Sequence, residues 1–400
     1  MNPAAETTAL ERELAQRISA HGPIPFADFM RECLYHPELG YYSRGETRRF
    51  GDFYTSVDVH PIFGRLLARQ LTEMWQALGR PKEFWTVEAG AGTGRLAAQI
   101  LEFTARELPA FYKALRYVAV EQSQARRVAH AVTLAGYLRD GVARSAAELP
   151  QEIPTGCVIS NELLDALPVH RVVVESGALR EIYVGLRGGA EGDAEGDAAP
   201  TGNTRSAGSP IGELEERTGP LTSPEIEEYF KQQGITLREK QQAEAGLAAC
   251  EWIVEAGHRL GRGFVLTVDY GYEAAELYNE RHARGTMMAY LHHHASENYL
   301  RMPGEQDLTA HVNFTALDLW GSRAGLVRTG CVSQMAFLVA LGRGNEFADL
   351  YSPGASEVER VRSRLLLKTL IHPEGMGETF QVCIHHKGVS RPQLTGLAGI

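Results

Sequence analysis

Apolar runs alternate with amphipathic segments through the middle of this sequence. Between the runs, apolar residues recur at helical spacing over about 94–108, 124–136 and 247–260. The apolar runs predict buried strands, and they are FWTVEAG, LRYVAVEQS, GCVIS and GFVLTVDYGY. Because buried apolar strands that alternate with helices are typical of a parallel sheet covered on both faces, the pattern predicts an α/β fold with a doubly wound, mostly parallel sheet.

Helical patterns dominate the beginning of the chain. One amphipathic helix is predicted over Leu10–Ala20, and a second begins near Phe26 and ends before Pro37. A longer apolar stripe follows, with Pro61 in the first turn of the helix that it predicts. Residues 1–80 are therefore predicted to form an N-terminal helical extension of the main domain.

The remaining residues, 81–400, are predicted to form the α/β domain. Within them, HRVVVESGALREIYVGL predicts a two-stranded ribbon. After it, residues of about 187–212 are acidic and low in complexity, with AEGD repeated and no large apolar residue before Ile211. Such a segment buries too little apolar surface to repay its ordering entropy, which predicts a flexible acidic insertion on the surface rather than a further domain.

Charge and cysteine content narrow the possible partners and location. The formal net charge of -10 over 400 residues argues against a general nucleic-acid binder. The N-terminal segment has no apolar core of a signal peptide and carries acids that a transit peptide avoids, and no apolar run approaches the roughly 20 residues of a membrane helix. We therefore expect a cytoplasmic protein without membrane insertion. The scattered cysteines predict reduced thiols rather than disulfides or a zinc site, and they are Cys33, Cys157, Cys250, Cys331 and Cys383.

A glycine-rich turn follows the first predicted strand of the domain. The segment GTGRLA from Gly92 matches a variant of the dinucleotide fingerprint, so a nicotinamide or flavin cofactor is admissible. In the other register, Glu88, Gly90, Gly92 and Gly94 match the first motif of S-adenosylmethionine-dependent methyltransferases. Glycines allow the backbone to turn sharply and approach a ligand. A carboxylate at position 88 suits a cationic sulfonium better than a pyrophosphate, which favours the methyl donor.

Acidic residues also lie at the ends of two later predicted strands, LRYVAVEQS and GCVIS. Glu121 follows YVAV, where a carboxylate can accept hydrogen bonds from both ribose hydroxyls of an adenosine ligand of either kind. The run ISNELLDALPV places Asn161, Glu162 and Asp165 where the reacting methyl group is expected. Glu162 and Asp165 are three residues apart, on one face of a predicted helical turn, and two carboxylates there could bind a guanidinium. The alternative is a pair that only stabilises a helix N-terminus.

Ordered motifs along most of the chain resemble one family, the MidA-type methyltransferases. The motifs are GPIPFADFMRECLYHPELGYYS, GDFYTSVDVHPIFGRLLARQL, VEAGAGTGRLA, ISNELLDALPVHRV, VDYGY and PGEQDLTAHVNFTAL. The resemblance implies a class I methyltransferase fold with a Rossmann-like sheet and S-adenosyl-L-methionine as the donor. It places Glu88, the three glycines and Glu121 in the donor site, and Asp52 and Thr55 of GDFYTS in a lid over it.

The same resemblance implies a protein acceptor. The family includes bacterial proteins and the mitochondrial arginine methyltransferase that assists assembly of respiratory complex I, so a respiratory-complex subunit is one candidate substrate. Glu162 with Asp165 would then hold the target guanidinium, and His311, or Glu305 and Asp307 before it, would receive its proton. An alternative for His311 is a buried structural histidine.

Two further function classes remain open at this point. One is a nicotinamide-dependent oxidoreductase that uses the same glycine turn, and the other is a non-catalytic assembly factor that retains the donor pocket. A metal site is not predicted, because the consecutive histidines at 292–294 point in different directions and lack a spaced partner set. The oligomeric state is left open by the sequence.

Overall fold

The computed structural model describes residues 7–43, 56–188, 212–291 and 294–398. Asp52, Thr55, His292 and His293 lie outside the described residues, and so does most of the acidic insertion expected at 187–212. In the part that is described, no helix is long and apolar enough to cross a membrane.

The α-helices are, in chain order, α1 Ala9–His21, α2 Phe26–Tyr35, α3 Ser56–Val59, α4 Ile62–Ala77, α5 Arg95–Glu107, α6 Pro109–Ala114, α7 Gln124–Thr133, α8 Ala135–Arg139, α9 Pro224–Gln232, α10 Leu247–Arg259, α11 Ala274–Leu277, α12 Phe314–Arg323, α13 Gln334–Arg343 and α14 Glu357–Ile371. The strands are β1 Ile24–Pro25, β2 Phe84–Ala89, β3 Leu115–Val120, β4 Ala143–Ala146, β5 Ile153–Asn161, β6 His170–Glu175, β7 Ala178–Leu186, β8 Leu214–Gly219, β9 Gln242–Ala245, β10 Leu260–Tyr272, β11 Met288–Leu291, β12 His294–Ser296, β13 Asp307–Thr309, β14 Val312–Asn313, β15 Val327–Ser333 and β16 Phe380–Lys387.

A central sheet has the strand order β15-β16-β10-β5-β2-β3-β4, and β14 pairs with β10 at its side. The strands from β10 to β4 run parallel to one another, whereas β16 is antiparallel to both of its neighbours. The order reverses between β2 and β5, since the chain first builds outward to β4 and then returns to pair β5 with β2. The predicted doubly wound, mostly parallel α/β sheet is confirmed.

Helices cover both faces of this sheet. On one face, the apolar stripe of α4 and the buried side of α5 pack against strand residues such as Phe84 and Ile159. On the other face, Ile253 of α10 and Leu317 of α12 pack against Val265. Burying strand residues on both faces explains why the strands appear in the sequence as continuous apolar runs. The α4 helix thus packs with the central sheet, and the division at residue 80 stays a prediction.

A second, antiparallel sheet lies beside the central one, in the order β1-β7-β6-β9 with β8 on β7. The predicted ribbon is its β6–β7 hairpin, and α1 and α2 pack on its surface through an apolar cluster that includes Phe26 and Val184. Arg171 of β6 is buried there, paired with Glu216 and Glu244, with its guanidinium over the ring of Phe26. A buried charge of this kind is tolerated only because carboxylates compensate it.

The cysteines depart from the prediction in one place. Cys331 and Cys383 face each other across the antiparallel strands β15 and β16 and form a disulfide, with their Cα atoms 4.1 Å apart. The expectation that all cysteines are reduced thiols was therefore wrong. The two bridged cysteines are 52 residues apart in the sequence, and only the pairing of the strands brings them together. Cys33, Cys157 and Cys250 are free and buried.

Candidate functional site

The glycine turn connects β2 to α5. Gly90, Gly92 and Gly94 have φ angles of 71°, 55° and 81°, in the left-handed region that only glycine adopts without cost, and Gly94 is the N-cap of α5. At Gly90 a Cβ atom would also lie 2.9 Å from Cδ1 of Leu163, which is closer than any real contact. The sequence motif therefore marks a turn whose dihedral angles favour glycine at all three positions, and at Gly90 the close approach of Leu163 adds to that preference.

Glu121 holds this turn from the end of the neighbouring strand. Its carboxylate accepts hydrogen bonds from the backbone N–H of Gly92, at 2.9 Å through Oε2, and of Ser123, at 2.8 Å through Oε1. Each carboxylate oxygen has a second lone pair that remains available for a ligand hydroxyl. Glu121 also lines the cleft described below, and its contact with the donor ribose stays a prediction.

His130 of α7 holds the same turn from another side, and the sequence analysis missed it. Its Nε2 lies 2.9 Å from the carbonyl oxygen of Gly92, and its Nδ1 lies 2.7 Å from the hydroxyl of Ser145 on β4. Because a carbonyl only accepts, Nε2 must carry the proton, and Nδ1 accepts from the serine. Burial lowers the pKa of His130, which favours this neutral form. A single histidine within a helical pattern carried no signal of this role.

Glu88 lies beneath the turn rather than in the cleft. It is buried at the end of β2 and accepts a hydrogen bond of 2.7 Å from the hydroxyl of Tyr117. Burial raises the pKa of Glu88 to about 8, so its carboxyl is mostly protonated at neutral pH. Glu88 is therefore not placed to attract a cationic donor as an ionised carboxylate, and its direct contact with the donor stays a prediction.

A cleft of about 1130 Å³ opens at the carboxyl ends of the parallel strands, where the strand order reverses between β2 and β5. Ligands of doubly wound sheets bind at this point, and the volume is sufficient for a nucleoside together with part of a second molecule. Helix α2 and the residues that follow it contribute one wall, and α10 contributes another. The lining side chains and turns include Tyr35, Tyr42, Gly90, Glu121, Arg126, Glu162, Leu163 and Trp252. The glycine turn, Glu121 and this space together fit an adenosyl ligand.

Glu162 reaches the cleft from the end of β5. Its φ of 51° is left-handed, an uncommon conformation for a residue with a Cβ. The backbone N–H of Glu162 donates to the carbonyl of Val268 at 2.9 Å, and its Oε1 accepts from the N–H of Ser56 at 2.8 Å. The predicted helical turn was wrong, because residues 162–168 form a non-helical turn.

Asp165 does not share the side of the turn that carries Glu162. It is buried, lies outside the set of residues that line the cleft, and faces Asp269 and Tyr270 of β10. Burial raises the pKa of Asp165 to about 6, and hydrogen bonds within this cluster offset part of that effect. Because the turn is not helical, a spacing of three does not put the two carboxylates on one face. The structure brings Glu162 to the cleft and leaves Asp165 beneath it.

His311 lies away from the cleft, between β13 and β14. It borders a separate cavity of about 20 Å³, and its ring contacts those of Tyr270 and Tyr272. Burial lowers the pKa of His311 to about 4, so the ring is neutral at physiological pH. Asp307, one of the two other proton acceptors considered, accepts a hydrogen bond of 2.7 Å from Tyr42. The predicted neighbourhood of His311 and Glu162 was therefore wrong, and burial of the histidine agrees with the structural alternative.

Comparison with known proteins identifies the ligand that this geometry fits. Residues 66–332 match a family described as "Putative S-adenosyl-L-methionine-dependent methyltransferase". The chain is 28% identical over 397 residues to the mitochondrial protein arginine methyltransferase NDUFAF7 of Danio rerio, covering 92% of this chain and 85% of the relative. The homologue of that protein in Drosophila melanogaster is 27% identical over 401 residues, covering 95% of this chain and 85% of the relative.

A solved structure extends the similarity to three dimensions. A crystal structure of a Burkholderia thailandensis protein bound to S-adenosyl-homocysteine superposes with a TM-score of 0.82 at 29% identity, covering 98% of this chain and 94% of that one. The same fold therefore holds the demethylated form of the donor in a protein that aligns along almost the entire chain.

Proposed function

This chain belongs to the family of S-adenosyl-L-methionine-dependent methyltransferases, and from that premise we propose that its methyl acceptor is an arginine side chain of a protein. The enzyme is a methyltransferase and S-adenosyl-L-methionine is its donor. The relatives named protein arginine methyltransferases support the choice of acceptor. The comparisons favour the methyl donor over the nicotinamide cofactor that the glycine turn also admits.

The observation that carries the proposal is the position of Glu162 on the cleft. Leu163, the next residue, lies against the glycine turn, as the 2.9 Å approach to a Cβ at Gly90 indicates. A carboxylate beside the donor turn matches a guanidinium, whose planar set of N–H donors binds a carboxylate through two hydrogen bonds. We therefore propose that Glu162 alone, without Asp165, binds the target guanidinium in the cleft.

The donor supplies an electrophilic methyl group on a sulfonium, and the protein aligns the acceptor with it. A guanidinium nitrogen forms a bond to the methyl carbon as the bond from that carbon to sulfur breaks, which leaves S-adenosyl-homocysteine. Holding both partners in line removes most of the orientational entropy from the barrier. The nitrogen also loses one proton, because arginine is protonated in water. Glu162 is the proposed acceptor of that proton.

Partner and location are part of the same proposal. A respiratory-complex subunit is a candidate substrate, and a non-catalytic role in assembly is the alternative if no transfer occurs. The proposed location is the cytoplasm; the buried free thiols of Cys33, Cys157 and Cys250 are compatible with it, whereas the Cys331–Cys383 disulfide counts against a reducing compartment. Cell fractionation tests the location, and alkylation of free thiols in each fraction tests whether Cys331 and Cys383 are bridged. Recovery of the protein outside the cytoplasm with the bridge intact would contradict the proposed location.

The acceptor can be tested with a methyl-labelled donor and a proteome from cells that lack the protein. We expect label on arginine residues of a small set of proteins, located by mass spectrometry of tryptic peptides. Gly92→Arg, which places a side chain in the donor turn, is the control for contaminating enzymes. Label found only on lysine, or on small molecules, would refute an arginine acceptor, while leaving the methyltransferase assignment in place.

A further inference from the structure

The VDYGY motif on β10 has no role in the donor site, yet its aspartate contacts the turn that carries Glu162. Asp269 is fully buried, and its Oδ2 accepts hydrogen bonds from the backbone N–H groups of Leu163, at 3.2 Å, and Leu164, at 2.9 Å. Its Oδ1 accepts from the N–H of Tyr270 at 3.1 Å. Both oxygens of the carboxyl group are therefore engaged by backbone donors, and two of those donors belong to the turn.

The turn needs such support because Glu162 has strained backbone angles. A left-handed φ of 51° in a residue with a Cβ is unfavourable unless surrounding bonds impose it. Two sets of bonds do so here. The N–H of Glu162 donates to Val268 of β10, and the next two N–H groups donate to Asp269 on the same strand. The conformation that directs Glu162 into the cleft is thus fixed from β10.

We propose that Asp269 is a positioning residue for methyl transfer, which acts by holding the 162–164 turn so that the Glu162 carboxylate faces the acceptor. This inference rests on the proposed role of Glu162. Asp269 itself does not line the cleft, so it acts through the turn and not on the substrate. The donor turn is held separately, by Glu121 and His130, and Asp269 has no bond to it among the described contacts.

Asp165 is a second carboxyl group beside Asp269. Burial and the proximity of Asp165 raise the pKa of Asp269, and burial raises that of Asp165. Two buried carboxyl groups this close do not both ionise readily. The hydrogen bonds from Leu163 and Leu164 favour the ionised form of Asp269 and so offset part of the cost of burying it.

An isosteric substitution separates positioning from packing. In Asp269→Asn one oxygen is replaced by an NH2 group, which cannot accept. The NH2 group takes the place of either Oδ1 or Oδ2, and in both cases a backbone N–H, of Tyr270 or of the turn, faces a donor, so the side chain must move from the position that holds the turn although its volume is unchanged. We expect kcat for methyl transfer to fall roughly 10- to 100-fold, in line with the loss of a buried hydrogen bond, while the affinity for S-adenosyl-homocysteine stays within about 2-fold. The matched control is Thr267→Val, which removes a buried hydroxyl from the same strand that bonds Ser160 and not the turn.

A double-mutant cycle with Glu162→Gln gives the decisive result. If Asp269 acts through Glu162, Asp269→Asn has little further effect on kcat once Glu162 is replaced. Equal losses in both backgrounds, or a matching loss of donor affinity, overturn the inference and leave the proposed function intact. If Glu162→Gln alone does not lower kcat, the proposed role of Glu162 fails first. That outcome is distinguishable, because it needs no Asp269 variant.

A measurement on the unaltered protein covers the case in which Asp269→Asn does not fold. Hydrogen exchange should be slow at the amides of Leu163 and Leu164, because both are bonded to a fully buried acceptor. Exchange at those two amides as fast as in the unfolded chain would show that the bonds do not persist, and it would overturn the inference.

Discussion

Replacing Glu88 by Gln should change how the stability of this protein depends on pH. The carboxyl group is buried at the end of β2, and burial raises its pKa from 4.5 to about 8. Between these two values the unfolded chain releases a proton that the folded protein keeps. Raising the pH over that interval therefore favours unfolding, so the stabilisation is complete below pH 4.5 and is lost as the pH rises to about 8.

The magnitude follows from the width of the interval. Each unit of pKa corresponds to about 1.4 kcal/mol, and the shift to about 8 gives a loss of about 3–5 kcal/mol in the free energy of unfolding across the interval. Glutamine has nearly the same shape, accepts the hydrogen bond from Tyr117, and does not titrate. Glu88→Gln should therefore match the unaltered protein near pH 4.5 and exceed its stability by a few kcal/mol above pH 8.

The assay is urea unfolding of both proteins from pH 4.5 to 8.5, with extrapolation to water. The difference between the two proteins at each pH cancels the other titrating groups, which are common to both. A difference that does not change with pH would refute the reasoning, because it would mean that Glu88 is ionised in the folded protein at the same pH as in the unfolded chain.

Three further changes test other parts of the structure. His130→Ala should weaken S-adenosyl-homocysteine binding about 5- to 30-fold by calorimetry, because the carbonyl of the glycine turn loses its buried donor; unchanged affinity would contradict this role. Arg171→Met should lower the free energy of unfolding by about 3–5 kcal/mol by leaving Glu244 buried without its counter-charge, and a stability equal to that of the parent would refute it. Cys331→Ser should lower the free energy of unfolding by about 4 kcal/mol under oxidising conditions, as expected for opening a loop of 52 residues. Under reducing conditions the loss should be much smaller. Equal losses under both conditions would show that Cys383 is not bridged.

The central sheet and the donor turn were predictable from the sequence because their signals are local. Continuous apolar runs mark strands buried on both faces, and glycines at alternate positions mark a turn that side chains cannot occupy. The place of Glu121 on the cleft was predictable for the same reason, since the end of a parallel strand fixes its edge of the sheet. These features depend on residues within a few positions of one another.

Features that depend on distant residues were missed. The turn between Glu162 and Asp165 is bonded to Asp269, which lies more than a hundred positions further along the chain, so helical spacing gave the wrong geometry for the two carboxylates. The disulfide partners are brought together by strand register, which spacing does not reveal. His130 bonds a carbonyl oxygen, an interaction with no sequence pattern. His311 was assigned to the active site from its motif alone, and the sequence does not show that it lies buried beside a separate cavity.

The most direct test of the account compares donor binding with methyl transfer in a single variant, Glu162→Gln. We predict that S-adenosyl-homocysteine binds with unchanged affinity, since the glycine turn and Glu121 are intact, while transfer of label to the arginine-containing acceptor falls at least about 100-fold. Transfer at the rate of the unaltered enzyme would show that this carboxylate does not act on the acceptor, and the proposed mechanism would have to be abandoned.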